Sequence, residues 1–163
     1  MVERTRGRVG AVLGPEGAVE RVRVGRMDSL DFPNDRFDLI VALGVYHNAT
    51  SMAEWERAVT ESARVLKPGG RLLVNHFTPE VDLTGTGVRP VPGEPGVYDG
   101  MPDGRGVLMG AEELDAAMAV HGLRPQTASR TVRVETEEGR RVSVNALYVR
   151  DDPAGGDRAA RRR

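Results

Sequence analysis

The feature that most constrains this chain is a run of three patterned segments between Phe37 and Phe77. Phe37 to Val45 (FDLIVALGV) is nearly all apolar, the composition of a strand buried on both faces of a parallel sheet. Ser51 to Leu66 follows, with Met52, Trp55, Val59, Ala63 and Leu66 on one face at helical spacing. Ser51, with Glu54 three positions on, predicts a capping box at the start of that helix. Lys67-Pro68-Gly69-Gly70 ends it, because proline cannot continue a helix and glycine accepts the left-handed turn. Arg71 to Phe77 (RLLVNHF) then reads as a second buried strand.

The flanks are less regular. Residues 1–18 show no period and contain four glycines, which predicts a loop. In residues 19–25, Val22 and Val24 alternate with Arg21 and Arg23, the pattern of a strand with one wet face. Pro79 to Gly106 holds 12 Gly or Pro in 28 residues, so a long lid-like loop is expected. Glu112 to His121 reads as a short helix with Leu114, Ala117, Met118 and His121 on one side. Gly122 is its expected C′ residue and Leu123 the hydrophobic follower. Residues 126–136 and 141–150 alternate apolar and polar residues, as an antiparallel hairpin does. The polar segment 151–163 has nothing to bury and reads as a disordered tail. The fold class expected is α/β, with a mostly parallel sheet and a C-terminal antiparallel hairpin.

Composition removes several classes of function. There is no cysteine, so disulfides, thiolate metal sites and cysteine nucleophiles are excluded. Three dispersed histidines offer no metal-ligand spacing, and no metal is expected. A net charge of −1 gives no reason to expect a nucleic-acid or membrane partner. No apolar run reaches the length of a membrane span and no signal-peptide pattern opens the chain, so a cytoplasmic location is expected. His47 and His76 stand at or just past the ends of predicted strands, where α/β sheets bind ligands, and are candidate catalytic bases.

Three motifs then appear in order: Arg26-Met27-Asp28-Ser29-Leu30-Asp31-Phe32-Pro33; Arg36-Phe37-Asp38-Leu39-Ile40-Val41 running to Val45-Tyr46-His47-Asn48; and Arg64-Val65-Leu66-Lys67-Pro68-Gly69-Gly70-Arg71-Leu72-Leu73. Together they resemble the Rossmann-like, class I S-adenosylmethionine-dependent methyltransferases, in particular the branch acting on small molecules. The resemblance implies a cofactor, S-adenosyl-L-methionine, and residues to hold it. Asp28 would accept a hydrogen bond from the adenine amino group, with Ser29 and Leu30 along the ring. Leu43, Gly44 and Val45 would line the methionine side. Tyr46 and Tyr98 would face a small-molecule substrate, as would Met101 and Met109. Residues 1–150 would form the partial methyltransferase domain, with 79–106 as its lid.

The pattern also departs from the family. The opening strand with its glycine-rich turn, and the second strand with its ribose-binding acid, have no counterpart here. Gly7, Gly10, Gly14 and Gly17 do not follow an apolar strand. The sheet is therefore expected to lack the first two family strands. Residues 8–13, a partner chain or a second copy would fill the slot beside Phe37–Val45. Two functions follow: methyl transfer to an O, N or C atom of a small molecule, inactive if this short form is all there is, or a non-catalytic remnant or partner subunit. A dinucleotide oxidoreductase would need its own glycine fingerprint, which is absent.

Overall fold

A computed structural model of the chain describes residues 2–137 and 139–152. The expected tail lies almost wholly outside the described residues. The fold is built around β1 (Phe37–Leu43), α2 (Met52–Val65) and β2 (Leu66–Phe77). β1 and β2 pair in parallel, with Ile40 opposite Leu72 and Ala42 opposite Val74. α2 packs Trp55, Ala58, Val59, Ser62 and Val65 inward. Ser51 caps it by accepting a hydrogen bond from the Glu54 amide at 3.3 Å. The reciprocal half of the expected capping box is shifted by one residue: Glu54 accepts from the amide and hydroxyl of Thr50. The Lys67–Gly70 turn is absorbed as a bulge, since the register passes from Phe37–Leu66 directly to Leu39–Arg71.

β2 continues the sheet through β8 (Gly139–Arg150), which also pairs with β6 (Leu123–Pro125) and β7 (Arg130–Thr136). The result is a five-stranded mixed sheet of order β1-β2-β8-β6, with β7 beside β8. The Rossmann-like α/β class and the C-terminal antiparallel hairpin are present. The parallel part is the β1–β2 pair, and the remaining pairings of this sheet are antiparallel. α3 (Ala111–Val120) buries Leu114 and Met118, and Gly122 follows in the left-handed conformation at φ 71°.

Three expectations are corrected. Residues 2–25 contain neither the expected loop nor the expected strand. Val2–Arg21 is helical (α1), broken at Gly14, where φ is 78°, and resumed at Pro15. Proline suits the first turn of the resumed segment, whose amide needs no partner there. Residues 8–13 therefore add no strand beside β1. Second, β1 is not buried on both faces. Ile40 and Ala42 face the core, but Leu39, Val41 and Leu43 are 54–56% exposed. The strand lies at the edge of the sheet, and no described element covers its outer face.

Third, residues 79–106 are not a structureless loop. They carry β3 (Arg89–Pro90), β4 (Val97–Met101) and β5 (Gly104–Val107), a three-stranded antiparallel sheet. Val91, Val97 and Val107 anchor it in the main core. It lies on the single turn Tyr46–Asn48, where a Cβ on Gly106 would stand 2.7 Å from the His47 carbonyl oxygen. The glycine is what allows the two backbones to come this close.

Candidate cofactor cleft

A cleft of about 850 Å³ lies between the end of α1, the segment 22–36 and β1. Met27, Ser29, Leu30, Phe32 and Val45 line it, with Arg26 at its rim. The structure thus brings Ser29, Leu30 and Val45, three residues expected at a cofactor, onto one surface. Leu43 and Gly44 stand at the end of β1 beside this cleft but outside its lining. Leu43 belongs to the exposed outer face, and Gly44 turns the chain with φ 69° toward the Tyr46–Asn48 turn.

Asp28 lies between the lining residues Met27 and Ser29 and, like Leu43 and Gly44, is outside the lining itself. Its carboxylate is gripped by Arg26, which donates from Nε at 2.8 Å and Nη2 at 3.0 Å. Arg57 of α2 approaches the same carboxylate at 3.5 Å. The hydrogen bonds from Arg26 hold the carboxyl below its usual range, so it is ionised and purely an acceptor at neutral pH. Oδ2 accepts from both Arg26 and Arg57, and Oδ1 from Arg26. The Leu30 amide is already engaged, donating to Glu61 Oε2 at 2.8 Å.

The other expected site residues are elsewhere. Tyr46 is 1% exposed and donates its hydroxyl to Ser62 inside the core, and burial raises its pKa to about 12. His47 and His76 lie under the β3–β5 sheet, 6% and 0% exposed, with ring centroids 6.1 Å apart. Burial lowers the His47 pKa to about 4. For His76, burial first and then the neighbouring His47 lower it to about 3. The Val107 backbone works weakly the other way without closing a hydrogen bond of normal geometry to either ring nitrogen. Both rings are neutral at physiological pH, and a substrate reaches neither in this conformation. Tyr98 is half-buried in β4, against the Val81, Met101 and Leu108 cluster. Met101 and Met109 are 9% and 5% exposed and face the core, not a substrate.

Sequence reasoning passed over Arg26, Glu61 and Arg64. Arg26 and Arg64 lie inside quoted motifs, and Glu61 and Arg64 have the i, i+3 spacing of a helical ion pair. Their long-range partners in the segment 30–34 have no sequence signature.

Residues 2–74 match a family described as a methyltransferase domain. An uncharacterized methyltransferase of Bacillus subtilis, YcgJ, is 43% identical over 75 residues, which are 44% of this chain and 28% of that protein. The ubiquinone/menaquinone biosynthesis C-methyltransferase UbiE of Laribacter hongkongensis is 41% identical over 64 residues, 39% of this chain and 25% of the relative. The match thus spans about a quarter of the length of these relatives. Among solved structures, a SAM-dependent methyltransferase of Methanosarcina mazei superposes with a TM-score of 0.60 at 18% identity, over 79% of this chain and 66% of that one. A 1,6-didemethyltoxoflavin-N1-methyltransferase of Burkholderia thailandensis, solved with bound 1,6-didemethyltoxoflavin and S-adenosylhomocysteine, gives 0.55 at 17% identity, over 77% of this chain and 48% of that one. At these identities the superpositions establish the fold.

Proposed function

We propose that this chain is a class I S-adenosylmethionine-dependent methyltransferase that binds S-adenosylmethionine in the cleft beside β1 and serves methyl transfer to a small molecule. The observation that carries the reading is the cleft itself: Ser29, Leu30 and Val45 line it, and the ionised Asp28 lies on the same segment, between the lining residues Met27 and Ser29. An ionised carboxylate suits the exocyclic amine of adenine, which only donates. The Leu30 amide is committed to Glu61, so Leu30 would meet the ring with its side chain. Gly44 and Val45 would follow the methionine end, and Leu43 would stand beyond them.

The cofactor supplies an activated sulfonium methyl group, so the protein's contribution is chiefly alignment of acceptor and methyl carbon. In this reading the β3–β5 sheet is the substrate cover, with Tyr98 facing the acceptor. His47 and His76, buried beneath it, take no proton in this conformation.

Calorimetric titration with S-adenosylhomocysteine tests the reading. Saturable binding weakened about tenfold or more by Asp28→Ala is expected, the usual cost of removing a charged hydrogen-bond partner. A folded chain that does not bind, or one indifferent to Asp28→Ala, would sink it.

A second reading has its own observation. The exposed Leu39, Val41 and Leu43 lie on an edge strand. That favours a subunit role in which another chain, or a second copy, lies against β1, with or without catalysis. A chain that stays strictly monomeric at high concentration and methylates an acceptor by itself would exclude it.

A further inference from the structure

Five separate hydrogen bonds converge on one side chain at the end of α2. Arg64 Nε and Nη2 donate to the two carboxylate oxygens of Glu61 at 2.7 and 2.8 Å. Nη2 also donates to the Leu30 carbonyl at 3.0 Å. Nη1 donates to the Phe32 carbonyl at 2.8 Å and to Asn34 Oδ1 at 2.9 Å. A guanidinium has five N–H donors in a fixed planar fork, and every one is used. Glu61 closes the circuit by accepting from the Leu30 amide at 2.8 Å. Leu30 is thus held at both its N–H and its C=O. The backbone continues the attachment, with the Asp35 amide on the Arg64 carbonyl at 3.0 Å and the Arg36 amide on the Val65 carbonyl at 2.8 Å.

Beyond these bonds the segment has the edge-on Phe32–Phe37 ring contact at 4.9 Å and the Asp35–Arg150 ion pair near its end. Residues 30–36 form no strand or helix, and Asp31 to Arg36 are exposed. Leu30, Asp31, Phe32 and Arg36 nevertheless line the cleft. The clamp itself lies behind that lining: neither Glu61 nor Arg64 is among the residues that form it. An exposed irregular segment has many competing conformations, and fixing it is costly in entropy. A ligand that relies on such a wall binds tightly only if the wall is set beforehand.

We infer that Glu61 and Arg64 are positioning residues for the cleft: from the last turns of α2 they fix the Leu30–Asn34 wall, and through it the ligand surface that adjoins Asp28. The inference rests on the cofactor reading above for the identity of the ligand. The fork geometry makes a further demand. Lysine keeps the charge but carries its three donors on a single nitrogen, which cannot reach Glu61, Leu30, Phe32 and Asn34 together. Charge alone is therefore insufficient.

The test uses the full chain with Arg64→Gln, Arg64→Lys and Glu61→Gln. It reads S-adenosylhomocysteine affinity by calorimetry, and amide hydrogen exchange at Leu30 against that at Val74 in β2. The expected result is affinity weakened about tenfold in all three variants, including Arg64→Lys. Leu30 exchange should speed up while Val74 protection is unchanged. Full recovery of affinity in Arg64→Lys would overturn the fork requirement. Wild-type affinity and unchanged Leu30 exchange in Arg64→Gln and Glu61→Gln would overturn the clamp while leaving the cofactor reading intact. Failure of the wild-type chain to bind would overturn both, so the two failures are distinguishable. Loss of protection at Val74 as well would mean global unfolding and would reject a local positioning role; Glu61→Gln, which leaves a side chain of the same size, guards against reaching that result trivially.

Discussion

At His76 the ring is fully buried beside His47, and both are neutral in the folded protein because a charge there would be stripped of water. Unfolding returns them to their ordinary value of 6.5, from about 3 and about 4. The unfolded chain therefore binds protons that the folded chain refuses. Above pH 6.5 neither state is protonated at these sites and their contribution is fully present. As pH falls from 6.5 toward 4 and then 3, the unfolded state gains and stability is lost. The urea midpoint is expected to fall markedly between pH 7.5 and pH 5, and His76→Leu should flatten that slope. A midpoint independent of pH over this range would contradict the burial of both rings. Asp28 sits in the opposite situation, its carboxyl lowered first by the hydrogen bonds from Arg26. Arg26→Ala should let that pKa rise toward the ordinary aspartate value, as followed by NMR titration of the side-chain carboxyl.

Among the elements, α2 and α1 differ in what they bury, and this decides both their energetics and their legibility. Trp55 of α2 is 1% exposed at the centre of the core. Trp55→Ala should cost about 3–5 kcal/mol and leave the chain largely unfolded at 37 °C, as seen by circular dichroism. α1 buries only Ala18, and its first segment, up to Gly14, buries nothing fully. Removing residues 2–13 should change the stability measured by urea denaturation by no more than a surface substitution does, about 0.5 kcal/mol. The same contrast explains what could be read in advance. β1, α2 and β2 bury faces, and burial writes a period into sequence: Trp55 and Val59 mark a helix, and RLLVNHF a strand. α1 has no buried face, so Val12, Leu13 and Val19 form no stripe and the glycines dominate the reading. The strands of the β3–β5 sheet are two to five residues long, too short to show alternation. In the cleft, Asp28, Ser29, Leu30 and Val45 came with contiguous motifs. The roles of Arg64 and Glu61 were hidden, because hydrogen bonds across about thirty residues leave no local trace. The bulge between α2 and the rest of β2 was legible as a turn but not as a constraint. A Cβ on Gly70 would lie 2.8 Å from the Lys67 carbonyl oxygen and 2.9 Å from Leu66 Cγ. Gly70→Ala should therefore destabilise by about 1–3 kcal/mol through overpacking, measured by urea denaturation.

At the scale of the whole molecule, the sheet is finished on one side only. On the far side β8 carries β6 and β7, whereas β1 ends the sheet with its outer face bare among the described residues. Leu39, Val41 and Leu43 alternate along that face, each just over half exposed, next to backbone groups that have no ladder partner on the open side. Natural edge strands are usually blunted by lysine, proline or an inward charge, because a bare apolar edge invites another strand. β1 carries none of these between Leu39 and Leu43; Asp38 lies at its start and is paired with Lys67 at 2.8 Å. The chain should therefore self-associate as concentration rises, giving a sedimentation coefficient that increases over the micromolar range. Val41→Lys should remove that increase. It should leave the urea midpoint almost unchanged, since the side chain points away from the core that Ile40 and Ala42 enter. If Val41→Lys instead unfolds the chain, the outer face is covered within the monomer and the edge description of β1 is wrong. If association persists undiminished, the contact lies on another surface, and β1 is solvated despite its sequence.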